Sequence, residues 1–220
     1  GGARGRTQGS GRTAGGPRRM KPEIVVFDFG GVLVDWDPRR AYRHLLPDDA
    51  AIEEFLATVC TPDWNYKQDA GRSIAEAEAE LIERFPDKAA LIRAYYQGHE
   101  ASISGAIEGT VEILEALHAK GTPLYGLTNW SAETFPRTRP RFAFFECFRH
   151  IVVSGEVKLA KPDPAIYRLL LARIGAPAQT CVFVDDSAKN VEAAKSMGMH
   201  ALLFEGPAKL RSDFEALGLL

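Results

Sequence analysis

Cysteine is scarce in this chain, and long apolar runs are missing from it. The 220 residues include three cysteines, Cys60, Cys147 and Cys181, and no two of them form a C-x-x-C pattern. This spacing argues against a disulfide scaffold and a zinc ribbon, and it favours a reducing, cytoplasmic location. No stretch approaches the roughly 18 uninterrupted apolar residues of a transmembrane helix, so we expect no membrane span.

Acidic residues are absent from the first 19 positions, which hold five of the chain's 27 lysines and arginines. The remainder then carries 22 basic against 29 acidic side chains. An acidic body is poorly suited to binding nucleic acid through its phosphates. The basic segment also has no apolar region of the kind found in a secretory signal. We interpret residues 1–19 as a disordered leader or an appended segment, with Met20 as the natural start.

Five short apolar runs alternate with amphipathic stretches along the rest of the chain. The runs are Ile24–Phe27, Leu124–Leu127, Ile151–Val153, Cys181–Val184 and Ala201–Phe204. They lack polar alternation, as do strands that are buried on both faces of a parallel sheet. Helices with readable ends separate them, such as one that begins after Asp163-Pro164 and ends near Gly175. The pattern predicts an α/β fold with a doubly wound parallel sheet.

The alternation is interrupted directly after the first strand. Residues 37–105 show almost no strand signal, and four helices are predicted there: Arg39–Leu46, Asp49–Val59, Ser73–Phe85 and Pro86–Ser102. Ser73 and Glu76 form the S-x-x-E pattern of a capping box. A segment of this length exceeds a crossover connection, so we predict a helical cap at 37–105. The core would then consist of residues 20–36 and 106–220.

Polar residues follow four of the predicted strands, at the edge where parallel α/β sheets bind ligands. They are Asp28, Thr128-Asn129, Lys161, Asp185-Asp186 and, one helical turn later, Asn190. Three carboxylates in one crevice raise one another's pKa or require a cation, and Mg²⁺ prefers carboxylate oxygens. A cation opposite a lysine attracts a phosphoryl group, whose oxygens a hydroxyl and an amide can hold. Asp28 is then placed to attack as a nucleophile.

Taken in order, these motifs resemble those of the haloacid dehalogenase-like hydrolases, in the subgroup with a small helical cap. Phe27-Asp28-Phe29-Gly30-Gly31-Val32 is similar to the first family motif and Leu127-Thr128-Asn129 to the second. Lys161-Pro162-Asp163-Pro164 looks like the third and Val184-Asp185-Asp186-Ser187 like the fourth. The branch with the same pattern contains sugar-1-phosphate phosphatases and the phosphatase domain of soluble epoxide hydrolase.

The resemblance implies a Rossmann-like core and a phosphatase reaction. Asp28 would be the nucleophile and would form an aspartyl-phosphate intermediate. Thr128 and Asn129 would bind phosphate, and Lys161 would bind it as well and neutralise the intermediate. The implied substrate is a small phosphorylated metabolite, with sugar phosphates as the first candidates, and the implied assembly is a monomer or homodimer.

The same resemblance implies Mg²⁺ as the cofactor. Its ligands would be Asp28, the backbone carbonyl of Gly30 and Asp186. Asp185 and Asn190 would support this group without binding the ion directly.

Gly30 departs from the family pattern. Most phosphatases of the family have an aspartate two residues after the nucleophile, where it protonates the leaving group. Glycine offers no donor, so we expect the rate to depend steeply on the acidity of the leaving group. If another acid is present, the first candidates are Asp35, Asp37 and His44, which lie just beyond this motif.

Two other functions fit parts of the sequence. A 2-haloacid dehalogenase uses the same aspartate nucleophile without a metal, and Arg39, Arg40 or Arg43 would hold the halide or carboxylate. The acidic pair 185–186 argues against it, because three carboxylates facing one lysine are unfavourable without a cation. The missing donor at Gly30 motivates the second alternative, a catalytically weak relative that binds a phosphate ligand or a partner protein. Turnover of a generic aryl phosphate would exclude that alternative.

Overall fold

Seven strands lie within residues 20–220, the part of the chain that this computed structural model describes. They are β1 (Ile24–Phe27), β2 (Val34–Trp36), β3 (Ile103–Ala106), β4 (Leu124–Thr128), β5 (His150–Val153), β6 (Cys181–Asp185) and β7 (His200–Leu203). Five of them form a parallel sheet in the order β5-β4-β1-β6-β7. These five strands were all predicted, with bounds that differ by at most one residue at either end. The leader predicted at residues 1–19 lies outside the described part.

Ten α-helices accompany the strands in the described residues. They are α1 (Asp49–Thr58), α2 (Pro62–Asp69), α3 (Ile74–Arg84), α4 (Ala89–Gln97), α5 (Glu108–Ala119), α6 (Phe135–Thr138), α7 (Ser154–Val157), α8 (Pro164–Ile174), α9 (Ala188–Ser196) and α10 (Pro207–Ala216). Within residues 20–220, no helix combines the length and apolar content needed to cross a bilayer.

Both faces of the parallel sheet are covered by helices. Val25 and Phe27 of β1 pack in one apolar cluster with residues of α5 and α10. Val26, between them, belongs to a second cluster on the other face with residues of α8 and α9. Because successive side chains of a strand point to opposite faces, each apolar run must be apolar throughout. This arrangement confirms the predicted doubly wound α/β fold.

The predicted helix ends are present in the structure. The Asp163 side chain accepts a hydrogen bond from the Ala165 amide at the start of α8, and Gly175 ends that helix in the left-handed region, at φ 70°. Ser73 and Glu76 form the reciprocal hydrogen bonds of a capping box at the start of α3. These caps satisfy backbone groups that have no partner inside the helix.

The segment between β2 and β3 is helical and has its own apolar cluster. Aromatic and aliphatic side chains from Tyr42 to Tyr96 form this cluster. The predicted helices Asp49–Val59 and Ser73–Phe85 are present as α1 and α3. The predicted helix Arg39–Leu46 is wrong, because Pro38–Tyr42 forms a short 3₁₀-helix in its place. The predicted helix Pro86–Ser102 is interrupted, and α4 covers only its middle. Helix α2 was not predicted. The cap boundaries at 37 and 105 stay a prediction.

β2 and β3, the strands on either side of this segment in the chain, form a two-stranded antiparallel ribbon. Val34 of β2 pairs with Ala106 of β3, and Asp35 pairs with Gly105. Neither strand was predicted, because each has mixed polarity and its partner lies about 70 positions away in the chain. The ribbon brings the beginning and end of the helical segment side by side.

Candidate active site

The carboxyl ends of the central strands bring the predicted site residues together. Phe27 is aligned with Gly126 of β4 and with Val184 of β6, so the residues that follow these positions share one edge of the sheet. Asp28 comes directly after β1, Thr128 ends β4 and Asp185 ends β6. The parallel register is therefore what places these side chains near one another.

Lys161 lies between two carboxylates in the interior of the protein. Its Nζ is 2.9 Å from Asp28 Oδ1 and 2.6 Å from Asp185 Oδ2, and it donates to the Leu127 carbonyl at 3.0 Å. The side chain is 1% exposed. Burial alone would lower the pKa of Lys161, but the charges of Asp28 and Asp185 outweigh this effect and raise it. Lys161 therefore stays positively charged.

Asp28 is buried, and Lys161 compensates its negative charge only in part. The Phe29 amide donates to its Oδ1 at 2.8 Å, the same oxygen that faces Lys161. Burial raises the pKa of Asp28 to about 7, since repulsion from Asp185 and Asp186 adds to desolvation while Lys161 opposes it. One lysine does not offset the negative charge gathered here.

Asp185 has its acceptor sites filled by protein donors. Oδ1 accepts from the Ser187 amide at 2.8 Å, and the Asn190 side-chain amide contacts both oxygens at 3.0 and 3.1 Å. Lys161 takes the remaining position on Oδ2. Asp185 thus orients Lys161, while Asn190 orients Asp185. The supporting role of Asp185 and Asn190 at a metal site stays a prediction.

Three carboxylates are close enough to share a cation. Asp28, Asp185 and Asp186 each present one oxygen within 4.8 Å of the others. Gly31 permits this approach, because its φ is 75° and an added Cβ would lie 2.2 Å from Asp186 Oδ2. Protein donors already fill the acceptor sites of Asp185. Asp28 and Asp186 are therefore the two carboxylates of the cluster that have acceptor capacity left for a cation. This oxygen-rich donor set and the raised pKa of Asp28 fit a hard divalent ion.

The two residues at the end of β4 have different surroundings. The Thr128 hydroxyl is buried and, among the described residues, has no hydrogen-bond partner. Both polar atoms of the Asn129 side chain contact the backbone of Lys161, because its amide nitrogen donates to the Lys161 carbonyl and its oxygen accepts from the Lys161 amide, both at 2.9 Å. Asn129 therefore holds the backbone of Lys161 in place. The phosphate contact predicted for Asn129 stays a prediction.

Two connected spaces lie above this edge of the sheet. A cleft of ≈ 550 Å³ is lined by Asp28, Lys161, Asp186 and Asn190, together with Gly30, Trp36 and Asn129. The last three also line a smaller space of ≈ 70 Å³, which we call the cap-side chamber. Its other lining residues are Asn65, Asp69, Tyr96, His99, Trp130 and Thr134. Because three residues line both, the chamber continues the cleft towards the helical segment.

The sequence reasoning missed the residues that the helical segment contributes to the chamber. Asp69 and Asn65 belong to α2, the helix that was not predicted. Its start carries a usable signal, since Thr61 accepts a hydrogen bond from the Trp64 amide and Pro62 occupies the first helical position.

None of the acids suggested in place of the missing donor lines the chamber, although Asp35 and Asp37 line the cleft and are hydrogen-bonded there. Asp35 accepts hydrogen bonds from Ser104 and Arg40, and these lower its pKa. Asp37 accepts from the Arg39 amide at the start of the 3₁₀-helix. His44 is exposed and does not line the cleft or the chamber.

The arginines considered for a halide or carboxylate site are also occupied. Arg39 is paired with Glu53 and Arg40 with Asp35, although both line the cleft. Arg43 is exposed.

Comparisons with known proteins agree with this architecture. A family model described as haloacid dehalogenase-like hydrolase matches residues 22–198. The sesquiterpene phosphatase of Aspergillus oryzae is 29% identical over 186 residues, which cover 82% of this chain and 88% of the relative. The phosphorylated carbohydrates phosphatase of Thermotoga maritima is 30% identical over 210 residues, which cover 89% and 93%.

A solved structure shows the same fold. It is a haloacid dehalogenase family enzyme of Bacteroides thetaiotaomicron, in complex with magnesium and inorganic phosphate. The TM-score is 0.62 at 20% identity, over 84% of this chain and 95% of that one. The family match, by contrast, rests on sequence and spans every predicted motif as well as the helical segment between them. The chain therefore belongs to the haloacid dehalogenase-like hydrolases, and it is an enzyme.

Proposed function

We propose that this hydrolase is a Mg²⁺-dependent phosphatase that acts on a small phosphorylated metabolite through an aspartyl-phosphate on Asp28. The observation that carries the proposal is the carboxylate cluster in which the buried Asp28 and Asp185 pair with a single lysine, while the exposed Asp186 presents a third carboxylate oxygen within 4.8 Å of theirs. Such a cluster favours a cation, and a cation beside Lys161 favours a phosphoryl group. A 2-haloacid dehalogenase needs no metal, so that function leaves the excess of negative charge unexplained.

Asp28, Asp186 and the Gly30 carbonyl would hold the metal, with Asp185 supporting them through Lys161 and Asn190. A bound magnesium ion supplies positive charge that offsets both the carboxylates and the phosphoryl oxygens. The Bacteroides thetaiotaomicron enzyme in complex with magnesium and inorganic phosphate supports this choice of ion.

The protein's own residues account for most of the reaction. Both contacts that the structure gives Asp28 are on Oδ1, which leaves Oδ2 as the attacking oxygen. Attack forms a bond from Oδ2 to phosphorus while the bond to the leaving oxygen breaks. Lys161 balances the charge of the intermediate, and the unpartnered Thr128 hydroxyl donates to a phosphoryl oxygen. Water then attacks phosphorus and releases phosphate and the Asp28 carboxylate.

The two named relatives support the phosphatase chemistry and differ in what their names say they act on. One is a sesquiterpene phosphatase and the other a phosphorylated carbohydrates phosphatase. We propose a small-molecule phosphate ester for this chain, with sugar phosphates first among the candidates. We place the enzyme in the cytoplasm, where three free cysteines persist, and propose a monomer or homodimer that does not bind nucleic acid.

A panel of phosphate esters, assayed with and without Mg²⁺, tests the proposal. The panel contains an aryl phosphate, hexose 1-phosphates and primary alkyl phosphates, and released inorganic phosphate is measured. We expect release that requires Mg²⁺. Halide release from a 2-haloacid in chelator, together with no phosphate release from the panel, would establish the dehalogenase alternative.

A further inference from the structure

We propose that Asp69, at the end of α2, is the general acid that protonates the leaving group in place of the donor that Gly30 lacks. The inference rests on the proposed phosphatase reaction and assigns one further residue to it. Asp69 belongs to the helical segment, and the nucleophile belongs to the sheet.

The position of Asp69 in the cap-side chamber is the first argument. Asp69 lines this chamber together with Gly30 and Asn129, and both of those residues also line the cleft that contains Asp28 and Lys161. An ester whose phosphorus lies against Asp28 therefore has the chamber next to it for its leaving oxygen. Gly30 leaves room here, because an added Cβ would meet no atom within 4 Å.

The hydrogen bonds around Asp69 are the second argument. Asn65 donates from its side-chain nitrogen to Asp69 Oδ2 at 3.1 Å. Asn65 is held in turn by the Tyr96 hydroxyl, which donates to its oxygen at 2.8 Å. The carboxyl is thus oriented by neutral groups alone. The Asn65 hydrogen bond lowers the pKa of Asp69, but burial outweighs it.

The electrostatic surroundings suit an acid. Burial is the largest influence on Asp69 and raises its pKa to about 7, with Lys161 as the one charged group that lowers it appreciably. Tyr66, Tyr95 and Tyr96 also face Asp69 and are uncharged at neutral pH. A substantial fraction of Asp69 is therefore protonated near pH 7, which is the condition for general-acid catalysis.

The histidine of the chamber is less suitable as the acid. His99 is buried beside Trp130, and desolvation lowers its pKa to about 4. It is neutral at physiological pH and has no proton of suitable acidity to give.

The reaction balances with Asp69 in this role. As Asp28 Oδ2 bonds to phosphorus and the phosphorus–oxygen bond to the leaving group breaks, the Asp69 proton passes to the leaving oxygen and an alcohol departs. Asp69 is then a carboxylate. It accepts a proton from the water that attacks the aspartyl-phosphate, so phosphate is released and both side chains return to their starting states.

The test compares esters with different leaving groups. We expect Asp69→Asn to lower kcat/KM for primary alkyl phosphates by about 10²–10⁴-fold, and to lower it far less for 4-nitrophenyl phosphate, whose leaving group departs without a proton. kcat/KM is the appropriate quantity because it reports the steps up to departure of the alcohol. Asp63→Asn is the matched control, since Asp63 is an exposed carboxylate on the same helix.

Two further measurements keep the test decisive if Asp69→Asn folds poorly. In the wild-type enzyme, kcat/KM for the alkyl esters should fall as pH rises through the pKa of Asp69, more steeply than for the aryl ester. Gly30→Asp added to Asp69→Asn should restore alkyl ester turnover, because Gly30 has open space and a backbone conformation outside the positive-φ region. Thermal melts establish that each variant is folded.

The outcomes separate the two proposals. Equal losses for aryl and alkyl esters in a folded Asp69→Asn variant would mean a structural role and overturn the assignment. A wild-type enzyme with the same pH dependence for both ester types would overturn it too, while leaving the phosphatase proposal intact. A wild-type enzyme that hydrolyses no ester of the series overturns both.

Discussion

Two carboxyl groups at the site, the buried Asp28 of the sheet and the half-buried Asp69 of the helical segment, have similar pKa values and different neighbours. Burial raises the pKa of both Asp28 and Asp69 to about 7. Asp28 faces an ammonium group at 2.9 Å, whereas the side chain that contacts Asp69 is the neutral amide of Asn65. A nucleophile must be ionised and an acid must carry a proton, so the ammonium neighbour suits the role proposed for Asp28 and the neutral amide suits the role proposed for Asp69.

The comparison also shows how each region fixes its side chain. On the sheet side of the site, Asp28 is held by the end of its strand and by Lys161, whose three hydrogen bonds are all made inside the protein. On the chamber side, Asp69 is held by the end of α2 and by the Asn65 amide, which the Tyr96 hydroxyl holds in turn. Removing a residue from the sheet side therefore leaves charges unpaired, whereas a neutral substitution in the chamber does not.

The largest expected loss of activity is that of Asp28→Asn, which removes the ionisable carboxyl group on the sheet side. Asparagine has nearly the same shape and cannot act as an anionic nucleophile, so we expect turnover to fall by about 10⁴-fold or more with folding retained. Phosphate release and a thermal melt measure the two quantities. A variant with the wild-type rate would remove Asp28 from the nucleophile role.

Lys161→Met tests the charge pairing on the sheet side. It leaves Asp28 and Asp185 buried without their shared cation, so we expect the free energy of unfolding without metal to fall by about 3–5 kcal/mol. Urea denaturation measures it at neutral pH. Lys195→Met is the control, because Lys195 forms an exposed ion pair with Glu192 and should cost under about 1 kcal/mol. Equal losses in the two variants would contradict the pairing.

Asp186→Ala tests whether Asp186 is a ligand of the proposed magnesium ion. We expect it to raise the Mg²⁺ concentration needed for half-maximal activity by about tenfold or more, because one carboxylate ligand is lost while the others remain. A magnesium titration at saturating substrate measures the change. An unaltered titration would transfer the ligand role to Asp185.

The smallest expected effect concerns Asp69 and pH. A pKa raised from 3.8 to about 7 means that the folded protein binds this proton more tightly than the unfolded chain does. Stability contributed by the neutral carboxyl is therefore complete below pH 3.8 and is lost as pH rises through 7. We expect Asp69→Asn to be more stable than wild type at pH 8, on the order of 1 kcal/mol, and to lose this advantage at pH 4. Denaturation curves at the two pH values measure it, and a pH-independent difference would contradict the raised pKa.

The sheet side of the site could be predicted from sequence because its signals are local. Asp28, Thr128 and Asp185 each follow or end an apolar run, and parallel strands bring such positions to one edge. The capping signals of Ser73 and Asp163 are equally local. For these residues, a few neighbouring positions carry the information.

The chamber could not be predicted in the same way. Asp69 lies near Gly30 because the helical segment folds back over the sheet, and no short-range pattern records that approach. Helix α2 was missed because its residues are largely polar, with Trp64 and Gln68 as its buried members. The roles of Asn129 and Asn190 also needed coordinates, since their amides bond to Lys161 and Asp185 rather than facing solvent.

The antiparallel ribbon at the base of the helical segment has a consequence for how such an enzyme changes over time. The chain leaves at Trp36 and returns at Ile103, two residues that are paired in the ribbon. Any segment whose own ends lie about 5 Å apart can therefore be exchanged for this one without disturbing the strand register of the sheet. Replacement of the segment would alter leaving-group recognition and the proposed proton donor together, while the nucleophile and the metal ligands stay where they are. Under the proposed reaction, substrate range and acid chemistry would therefore change together in a single exchange.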